Sequence, residues 1–537
     1  MSDQYPPDGP APRPGQVRPW LPPDRQNPSR PTDTGIRDID PVFPAGSLLH
    51  DHGARVLDPV TAVRPRGDVR RLRPTVYVGD TLLVPDDLVD RLGGPLSEAA
   101  RPFGLEPVLD ERDRYRAGLL ARAGAGTPTV VRIRLQPIGP PVDVDAWAVL
   151  QSLRGGAPVD LQPELPRIGL NHLLGGGWPS MQGTPVLPGH DGGPLSEYAQ
   201  PGRGARSPVA YVGHPPVRRE KSRTRRPVVA VLDTGVGNHP WLDGLVRRGV
   251  DLDGESAGLP PTVPDPELRG DVAGPLDGVL DSHSGHGTFI CGLVRQLAPD
   301  ADVLAVRVMH SDGIVEEADL VWALSVLDAR LARTQAGKAK DGHLDVVVLS
   351  LGYYHESPLL PFDDSVLREV LASLGRRGVA VVCAAGNDAT LRPMYPAAFT
   401  PHPGGLADDV EADEVPLLSV GGLNPDGSVA LFSNSGPWVT TWDTGAALVS
   451  TFPVTFDGGA AASVQTADPS GQPRRTIDPD CYVGGFGTWS GTSFAAPVLA
   501  ARIAAELGEA NLDEAGVASA VARARAAITA RTGLDLP

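Results

Sequence analysis

The sequence predicts an α/β protein, in which a doubly wound parallel sheet follows a smaller α+β N-terminal domain and a disordered Pro-rich tail. After Pro227, continuous apolar runs alternate with helical stretches, which is the pattern of parallel strands that are buried on both faces. Before that point, shorter strands and helices are mixed. We therefore predict a tail at 1–45, an accessory α+β domain at 46–175, a linker at 176–227 and the main domain at 228–537.

The tail is dense in Pro, Asp, Arg and Gly and has no apolar periodicity. Such a segment buries too little apolar surface to offset the entropy lost on ordering, so we predict that residues 1–45 are disordered. The N-terminus also lacks the apolar core of a secretory signal, and no window approaches the roughly 18 apolar residues of a membrane span. We therefore expect a cytoplasmic protein, with export by another route left open.

The charge and cysteine content narrow the class of protein further. The 48 Lys and Arg residues against 65 Asp and Glu residues give a net charge of −17, which argues against nucleic-acid and anionic-membrane partners. The three cysteines are Cys291, Cys383 and Cys481. An odd, sparse set is not a disulfide framework, and it is consistent with a reducing compartment.

The accessory domain mixes both kinds of secondary structure. Residues 75–78 and 81–84 have the composition of two short strands, and a helix is predicted from Asp86 onward. Residues 130–135 alternate apolar residues with arginine, the period of a half-buried strand, and residues 143–153 have the spacing of a helix. This mixture predicts a small α+β domain.

The linker is rich in Gly and Pro from Gly175-Gly176-Gly177 onward, and it ends in an arginine-rich run at 218–226. This basic run has two interpretations. It is either a processing site exposed to proteolysis or a solvated connector, and we favour the connector because charge runs are commonly just solvated.

The main domain has apolar strands predicted at 228–232, 302–308, 345–349 and 379–384, with helices between them at 316–333 and 364–377. In parallel sheets of this kind, functional residues gather at the carboxyl ends of the strands. Asp233 and the turn that ends at Asn387 both occupy such ends. This edge of the sheet is therefore the predicted site.

Two motifs supply an acid and a base. Asp233 follows five apolar residues, where a partly buried carboxylate can orient an imidazole, although an Asx turn would also explain it. His286 lies between two glycines, and an imidazole that titrates near neutrality suits a general base. A metal site of Asp281, His283 and His286 is the competing interpretation. Because the chain has no CxxC or HExxH spacing, we predict no metal there.

Two further motifs supply a hydroxyl and an amide. Ser493 precedes an Ala-rich helix, whose N-terminus favours developing negative charge, although a plain N-cap serine is the simpler explanation. Asn387 ends the apolar strand that begins at Val379. An acid, a base, a hydroxyl and an amide donor together are the groups that acyl transfer needs.

These four motifs, in this order, resemble those of the subtilisin-like serine proteases, the subtilase family, over about residues 228–531. The order Asp, His, Ser differs from that of other serine hydrolases. The resemblance implies a serine endopeptidase with a subtilisin-like catalytic domain that acts on proteins or peptides and needs no cofactor for its chemistry. It implies a triad of Asp233, His286 and Ser493, with Asn387 in the oxyanion hole.

The resemblance also assigns the substrate cleft. The segment Ser350-Leu351-Gly352 is expected to pair with the substrate as an added strand, and Ala384-Ala385-Gly386 to form the opposite wall of the specificity pocket. Many subtilases bind structural calcium, but no calcium loop is assigned in this chain. The position of the α+β domain resembles that of a subtilase prodomain, so we expect intramolecular inhibition, with any self-cleavage between Gly175 and Arg226.

The chain departs from the family pattern at two places. Phe289 replaces a usual histidine, which is expected to affect packing only, and Tyr353 replaces a small residue, which is expected to alter the cleft. Cysteines near the base suggest either a thiol-sensitive site or small buried apolar residues, and we favour the latter. Two other functions stay open: a catalytically silent peptide-binding protein, and a nucleotide-binding protein suggested by Gly484–Gly487 but lacking a phosphate loop.

Overall fold

The structure, a computed structural model, describes residues 38–41, 43–44, 46–64, 72–124, 126–175, 206–210, 213–220, 224–357, 365–402 and 411–536. The disorder predicted for the tail therefore lies mostly outside the described residues. At the end of that segment, Arg73 forms ion pairs with Asp38 and Asp40, and Arg392 forms one with Asp40. Among the helices described, none is long and apolar enough to cross a bilayer.

The secondary-structure elements are named in chain order. The strands are β1 Ala54–Val56, β2 Val76–Pro85, β3 Leu105–Leu109, β4 Val130–Pro137, β5 Gly169–Gly175, β6 Arg206–Pro208, β7 Val228–Asp233, β8 Val246–Arg247, β9 Asp251–Leu252, β10 Glu255–Ser256, β11 Asp302–Arg307, β12 Ile314–Glu316, β13 Val346–Leu349, β14 Ala380–Ala384, β15 Leu418–Leu423, β16 Thr441–Thr444, β17 Leu448–Thr451, β18 Gln465–Ala467, β19 Pro473–Arg475 and β20 Phe486–Trp489. The α-helices are α1 Gly46–Asp51, α2 Val89–Ala100, α3 Glu111–Ala123, α4 Ala146–Gly156, α5 Pro266–Arg269, α6 His286–Leu297, α7 Glu317–Gln335, α8 Val366–Arg376, α9 Thr492–Leu507 and α10 Val517–Thr532.

The main sheet is parallel and has the strand order β16-β15-β14-β13-β7-β11-β8. Strand β7 lies inside the sheet, between β13 and β11, and all six of its residues are buried. The predicted strands agree with β7, β11, β13 and β14 to within one residue at each end. Continuous apolar runs were a reliable guide here because both faces of the sheet are covered.

Two apolar layers cover the main sheet. Successive residues of β7 enter different layers: Val229 and Val231 lie in the layer with Phe289 of α6 and Ile503 of α9. Leu232 lies in the opposite layer, which holds the residues of α7 and α8. This alternation is the period of two that a strand imposes on its side chains. The doubly wound α/β arrangement predicted from the sequence follows from it.

A second sheet is antiparallel and has the order β12-β5-β2-β4-β3, with β1 paired to β2. The two strands predicted at 75–78 and 81–84 are one continuous strand, β2. The prediction of a break was wrong because β2 is paired on both sides, and the Gly79-Asp80 step is absorbed as a register shift between Tyr77 and Leu82. Helices α2 and α4 pack on this sheet through a separate apolar core.

Strand β12 comes from the main region of the sequence but completes the N-terminal sheet, since Val315 pairs with Leu174 of β5. Arg132 of β4 adds hydrogen bonds to Glu316 at 3.0 Å and to Asp319 at 3.1 Å. Residues of α3 and β4 share an apolar core with α7. The N-terminal sheet is therefore joined to the main region by pairing, charge and apolar packing, and the boundary at 175 stays a prediction.

The basic run at the end of the linker is bound to the main region. Arg225 makes two hydrogen bonds of 2.7 Å to Asp345, and Arg219 contacts Asp300 at 2.5 Å. Arg225 is therefore anchored to the main region, whereas the Arg219 side chain is 51% exposed, and the role of the basic run stays a prediction. Residues 176–205 lie outside the described part of the chain, and β6 after them pairs with β20.

Candidate active site

The predicted site residues meet at one edge of the main sheet. Asp233 ends β7, the segment Ser350–Gly352 follows β13, and Asn387 follows β14. Helix α6 begins at His286, and α9 begins one residue before Ser493. Because the strands are parallel, their carboxyl ends share this edge, as the sequence predicted.

Asp233 and His286 form a buried pair. Nδ1 of His286 lies 2.8 Å from Oδ1 and 3.0 Å from Oδ2 of Asp233. A carboxylate accepts from an imidazole N–H, so this contact places the proton on Nδ1 and leaves Nε2 as an acceptor. Glycines allow the start of α6 to lie close to the end of β7. A methyl group on Gly287 would lie 2.1 Å from the carbonyl oxygen of Gly235, and Gly235 itself has φ +106°.

Aromatic rings surround the imidazole. The ring of His286 lies 5.3 Å from Trp489, edge to face, and 5.1 Å from Phe494, between ring centres. Phe289 belongs to the same cluster, 4.6 Å from Phe494, and is fully buried. The replacement of histidine by Phe289 therefore serves packing, as expected. The apolar surround keeps water away from the Asp–His pair and strengthens their electrostatic interaction.

Asn387 is oriented by the residue that precedes Ser493. Thr492 donates to Oδ1 of Asn387 from its backbone N–H at 2.8 Å and from its hydroxyl at 3.0 Å. The oxygen end of the amide is thus occupied, and Nδ2 is the end that can donate to a third group. The hydroxyl of Ser350 donates to the carbonyl oxygen of Ser493 at 2.8 Å, which ties the start of α9 to the cleft.

Sequence reasoning missed a buried carboxylate next to this group. Both oxygens of Glu267 accept hydrogen bonds of 2.5 Å, one from the hydroxyl of Thr234 and one from that of Thr288. Burial raises the pKa of Glu267 to about 7, although these two hydrogen bonds oppose the shift. Glu267 lies in the short helix α5, and no motif marks it, because its partners are distant in sequence.

Arg206 was also missed, although it holds the segment that leads into His286. Its guanidinium is buried and donates to the carbonyl oxygens of Leu280 at 3.1 Å, Asp281 at 2.8 Å, Ser282 at 3.3 Å and Ser284 at 2.8 Å. It also lies over the Trp489 ring, 5.2 Å from its centre. Arg206 lies in the predicted linker, and the Gly- and Pro-rich composition of that segment gave no sign of this role.

The chain's own N-terminal region lies in the predicted substrate cleft. Gly175, the last residue of β5, pairs antiparallel with Gly352 through two backbone hydrogen bonds of 2.9 Å and 3.0 Å. On its other side, Gly175 pairs with Ile314 of β12. Sequence patterns predicted the Gly352 side of this cleft and gave no sign of β12, because β12 is only three residues long.

The cavity beside Ser493 contains most of the predicted lining. It is bounded by Ser350, Leu351, Gly352, Ala384, Gly386, Tyr354, Met394 and their neighbours. Ala385 instead belongs to the apolar core. The expectation for Tyr353 was wrong: its ring stacks on His172, 4.4 Å between centres, and the next residue, Tyr354, lines the cavity.

The alternative metal site has a different explanation. His283 is buried, and its Nδ1 lies 2.9 Å from the Ser282 hydroxyl. Asp281 accepts from the backbone N–H groups of Val272 and Ala273. Within the described residues, the group close enough to share an ion is His172, His355 and Glu356. Its imidazoles do not suit calcium, which takes oxygen ligands, so no calcium position is assigned.

The two cysteines near the site are fully buried. Cys291 lies in one apolar layer and Cys383 in the other. Burial raises the pKa of both thiols well above the usual value, so neither carries the charge of a reactive thiolate. This agrees with their interpretation as small apolar residues.

A parallel sheet with an acid, an imidazole, an amide and a hydroxyl at its carboxyl edge defines an α/β protein with a candidate serine-hydrolase site. The sequence profile of the subtilase family matches residues 224–533. The chain therefore belongs to the subtilase family, and the predicted membership of that family is confirmed.

Named relatives are distant. An intracellular serine protease of Paenibacillus polymyxa is 26% identical over 266 residues, 46% of this chain and 66% of the relative. Subtilisin BL of Lederbergia lenta is 26% identical over 45% of this chain and 77% of the relative, and the major intracellular serine protease of Bacillus subtilis (strain 168) is 24% identical over 42% and 60%.

The chain thus spans slightly less than two thirds of the Paenibacillus relative and three fifths of the Bacillus subtilis one. Among solved structures, a cold adapted subtilisin-like serine proteinase matches with 20% identity and a TM-score of 0.31, over 56% of this chain and 84% of that chain.

Proposed function

We propose that this protein is a serine endopeptidase that cuts proteins or peptides through an acyl-enzyme. In this mechanism, the Ser493 hydroxyl attacks the scissile carbonyl carbon while Nε2 of His286 takes its proton. Asp233 holds the ring and stabilises the imidazolium. The protonated His286 then donates to the leaving amine, and water releases the acyl group by the same steps. The buried Asp233–His286 contact of 2.8 Å is the observation that carries the proposal.

The oxyanion of the tetrahedral intermediate needs donors that are fixed before the reaction. We assign this role to Nδ2 of Asn387, supported by the two bonds from Thr492 that hold the other end of its amide. The N-terminus of α9 adds a favourable field at Ser493. Every proton in the proposed steps moves between side chains, substrate and water, so these steps use no cofactor.

We further propose that the N-terminal region inhibits the site intramolecularly. Gly175 occupies the position of an added strand between Gly352 and β12, where a substrate would pair. A tethered strand acts at a high effective concentration, so modest intrinsic affinity is enough to block the cleft. If self-cleavage occurs, we place it between Gly175 and Arg226, and the bonds of Arg206 favour the part before that residue.

The proposed compartment is the cytoplasm. Two of the relatives are named as intracellular serine proteases. Cys291, Cys383 and Cys481 are free thiols, which a reducing compartment preserves.

The decisive experiment compares the wild-type chain with Ser493→Ala by fluorophosphonate labelling and by intact mass. The wild type should gain one label and, if it processes itself, show the cut site in its mass, whereas Ser493→Ala should show neither. Peptide hydrolysis should fall about 10³-fold or more in the variant. Near-normal hydrolysis by Ser493→Ala would refute the assignment, and a folded wild type that neither labels nor hydrolyses would favour the catalytically silent alternative.

A further inference from the structure

The pocket beside Ser493 is very small. With Gly175 in its lining, the cavity left between the walls formed by Ser350–Gly352 and Ala384–Gly386 measures about 10 Å³. A cavity needs about 10–15 Å³ to hold a single water molecule. The space therefore suits a hydrogen atom or a methyl group of a substrate, and not a leucine, an aromatic ring or a guanidinium.

Met394 is the side chain that narrows the pocket. A methyl group placed on Gly352 would lie 2.7 Å from Cε of Met394, and one placed on Gly386 would lie 2.7 Å from its Sδ. The thioether thus contacts both walls and fills the space between them. Met394 is only 5% exposed and belongs to the apolar core, which holds it there.

Tyr354 also lines the pocket, and it is fixed by hydrogen bonds. Its hydroxyl donates to Asp388 at 2.6 Å and accepts from Nδ2 of Asn434 at 2.7 Å. The guanidinium of Arg392 lies over its ring, 5.1 Å from the centre. A residue held from three sides does not swing away to admit a larger substrate, so Met394 is the adaptable part of the lining.

A carboxylate in the lining raises the alternative of a cationic substrate side chain. Asp388 is such a group, and it lies directly after Asn387. Its carboxylate is already bound by the Tyr354 hydroxyl, and burial raises its pKa to about 6, which weakens it as a partner for a cation. The volume of the pocket also excludes lysine and arginine.

The chain itself presents small residues at this cleft. Gly175 pairs with Gly352 at the mouth of the pocket, and the sequence continues with Gly176-Gly177. The glycine at position 175 brings no side chain to the mouth of the pocket, which agrees with the small space there.

We propose that this protease selects glycine or alanine as the residue whose carbonyl is cut, and that Met394 determines this preference. The inference rests on the proposed serine-protease function. It names the class of substrate, which is a peptide with a small residue on the acyl side of the cut bond.

The test measures kcat/KM of the full-length chain on peptides that differ only at the acyl-side residue: Gly, Ala, Leu, Phe or Arg. We expect kcat/KM for the Gly and Ala peptides to exceed that for the others by about tenfold or more. One or two methylenes that do not fit a pocket already lower kcat/KM by that factor. Any block by the N-terminal region lowers all rates together and leaves these ratios unchanged. Ser493→Ala serves as the blank.

Two variants test the role of Met394. Met394→Ala should raise the Leu-to-Ala ratio about tenfold or more, whereas Met394→Leu, which conserves volume, should keep the wild-type ratio. If Met394→Ala does not fold, Met394→Val should move the ratio the same way to a smaller extent. Ser493-dependent cleavage mainly after Leu, Phe or Arg in the wild type would overturn this inference alone. No Ser493-dependent cleavage of any peptide would overturn the proposed function and this inference with it.

Discussion

The hydroxyl of Thr234 lies 2.5 Å from the carboxylate of Glu267, and the same hydroxyl is 3.2 Å from Oδ1 of Asp233. It has one proton for two acceptors. When Glu267 is ionised, the Thr234 hydroxyl donates to Glu267 through the shorter contact. The Glu267 carboxylate is then a second negative charge near the Asp233–His286 pair. When Glu267 is protonated, the Thr234 hydroxyl is released to donate to Asp233. The other charged or titratable groups that interact with Glu267 are Asp265, Arg206 and Cys291.

We therefore predict that Glu267→Gln moves the acid limb of the pH profile to lower pH. Hydrolysis by the wild type should fall as the pH is lowered, because protonated His286 cannot accept the serine proton. Because burial raises the pKa of Glu267 to about 7, the residue is only partly ionised on the acid side of neutrality; the charge that remains favours the imidazolium, so Glu267→Gln should move the limb to lower pH. The measurement is kcat/KM from pH 5 to 9.

The matched control is Asp265→Asn, which removes a charge near Glu267 without touching the Thr234 hydroxyl; it should shift the limb less. A Glu267→Gln enzyme that loses activity equally at every pH would show that the residue only supports the fold.

The orientation of Asn387 gives a second prediction. Asn387→Ala should lower kcat by about 10²–10³-fold with little change in KM, because the lost donor acts on charge that develops only in the transition state. Thr492→Val removes one of the two bonds to Oδ1 and keeps the backbone donor. It should therefore cost less than Asn387→Ala. A change in KM alone in Asn387→Ala would count against an oxyanion role.

The pairing of Gly175 predicts how inhibition is relieved. Gly175→Pro removes the N–H that donates to Gly352, so the full-length chain should become more active, whereas Gly175→Ala keeps the donor and should stay inhibited. A chain that begins near Gly202 should also be more active, and added residues 40–175 should inhibit it. Equal activity of both lengths, with no effect of the added fragment, would leave the N-terminal region as a plain accessory domain.

A buried histidine of β5 gives a prediction about stability. The contacts between β5 and the main region should weaken at alkaline pH, when this histidine loses its proton. Nδ1 of His172 lies 2.7 Å from Glu317, and its Nε2 lies 3.0 Å from Glu356. Burial lowers the pKa of His172, but these carboxylates outweigh it and raise the pKa to about 9. Because the folded pKa is above the unfolded value of 6.5, the stabilisation is complete below about pH 6.5 and is lost as pH rises through about 9.

At full strength this stabilisation is on the order of 3 kcal/mol. The thermal unfolding temperature of the wild type should therefore fall more steeply between pH 7 and 10 than that of His172→Gln, which has no imidazole proton to lose. Parallel curves for the two proteins would contradict the charged state assigned to His172.

Sequence patterns predicted the main sheet well because each strand there is buried on both faces and so has an uninterrupted apolar run. The same criterion divided β2 into two strands, since Gly79-Asp80 looks like a turn until the partners on both sides are known. Strand β12 could not be predicted from the sequence for a related reason. Three residues carry no period, and its pairing depends on Leu174, far back in the chain.

Residues of the candidate site could be predicted where the neighbouring sequence indicates their chemical role. Asp233, His286 and Ser493 each stand beside glycines or at a helix start, and such surroundings are visible in one window of sequence. Glu267 and Met394 have no such surroundings. Each acts through residues that are near in space and distant in sequence, so only the folded chain identifies them.

Arg206 sets a lower limit on how far this enzyme can be shortened from its N-terminus. Its guanidinium satisfies four buried carbonyl oxygens just before His286. A cut upstream of it leaves the segment intact, whereas a cut downstream leaves Arg206 attached only through non-covalent contacts such as the pairing of β6 with β20, so those oxygens more easily lose their donor. If the proposed protease cuts its own N-terminal region, a cut past this residue would weaken its own site, so we expect self-processing to stop before Arg206.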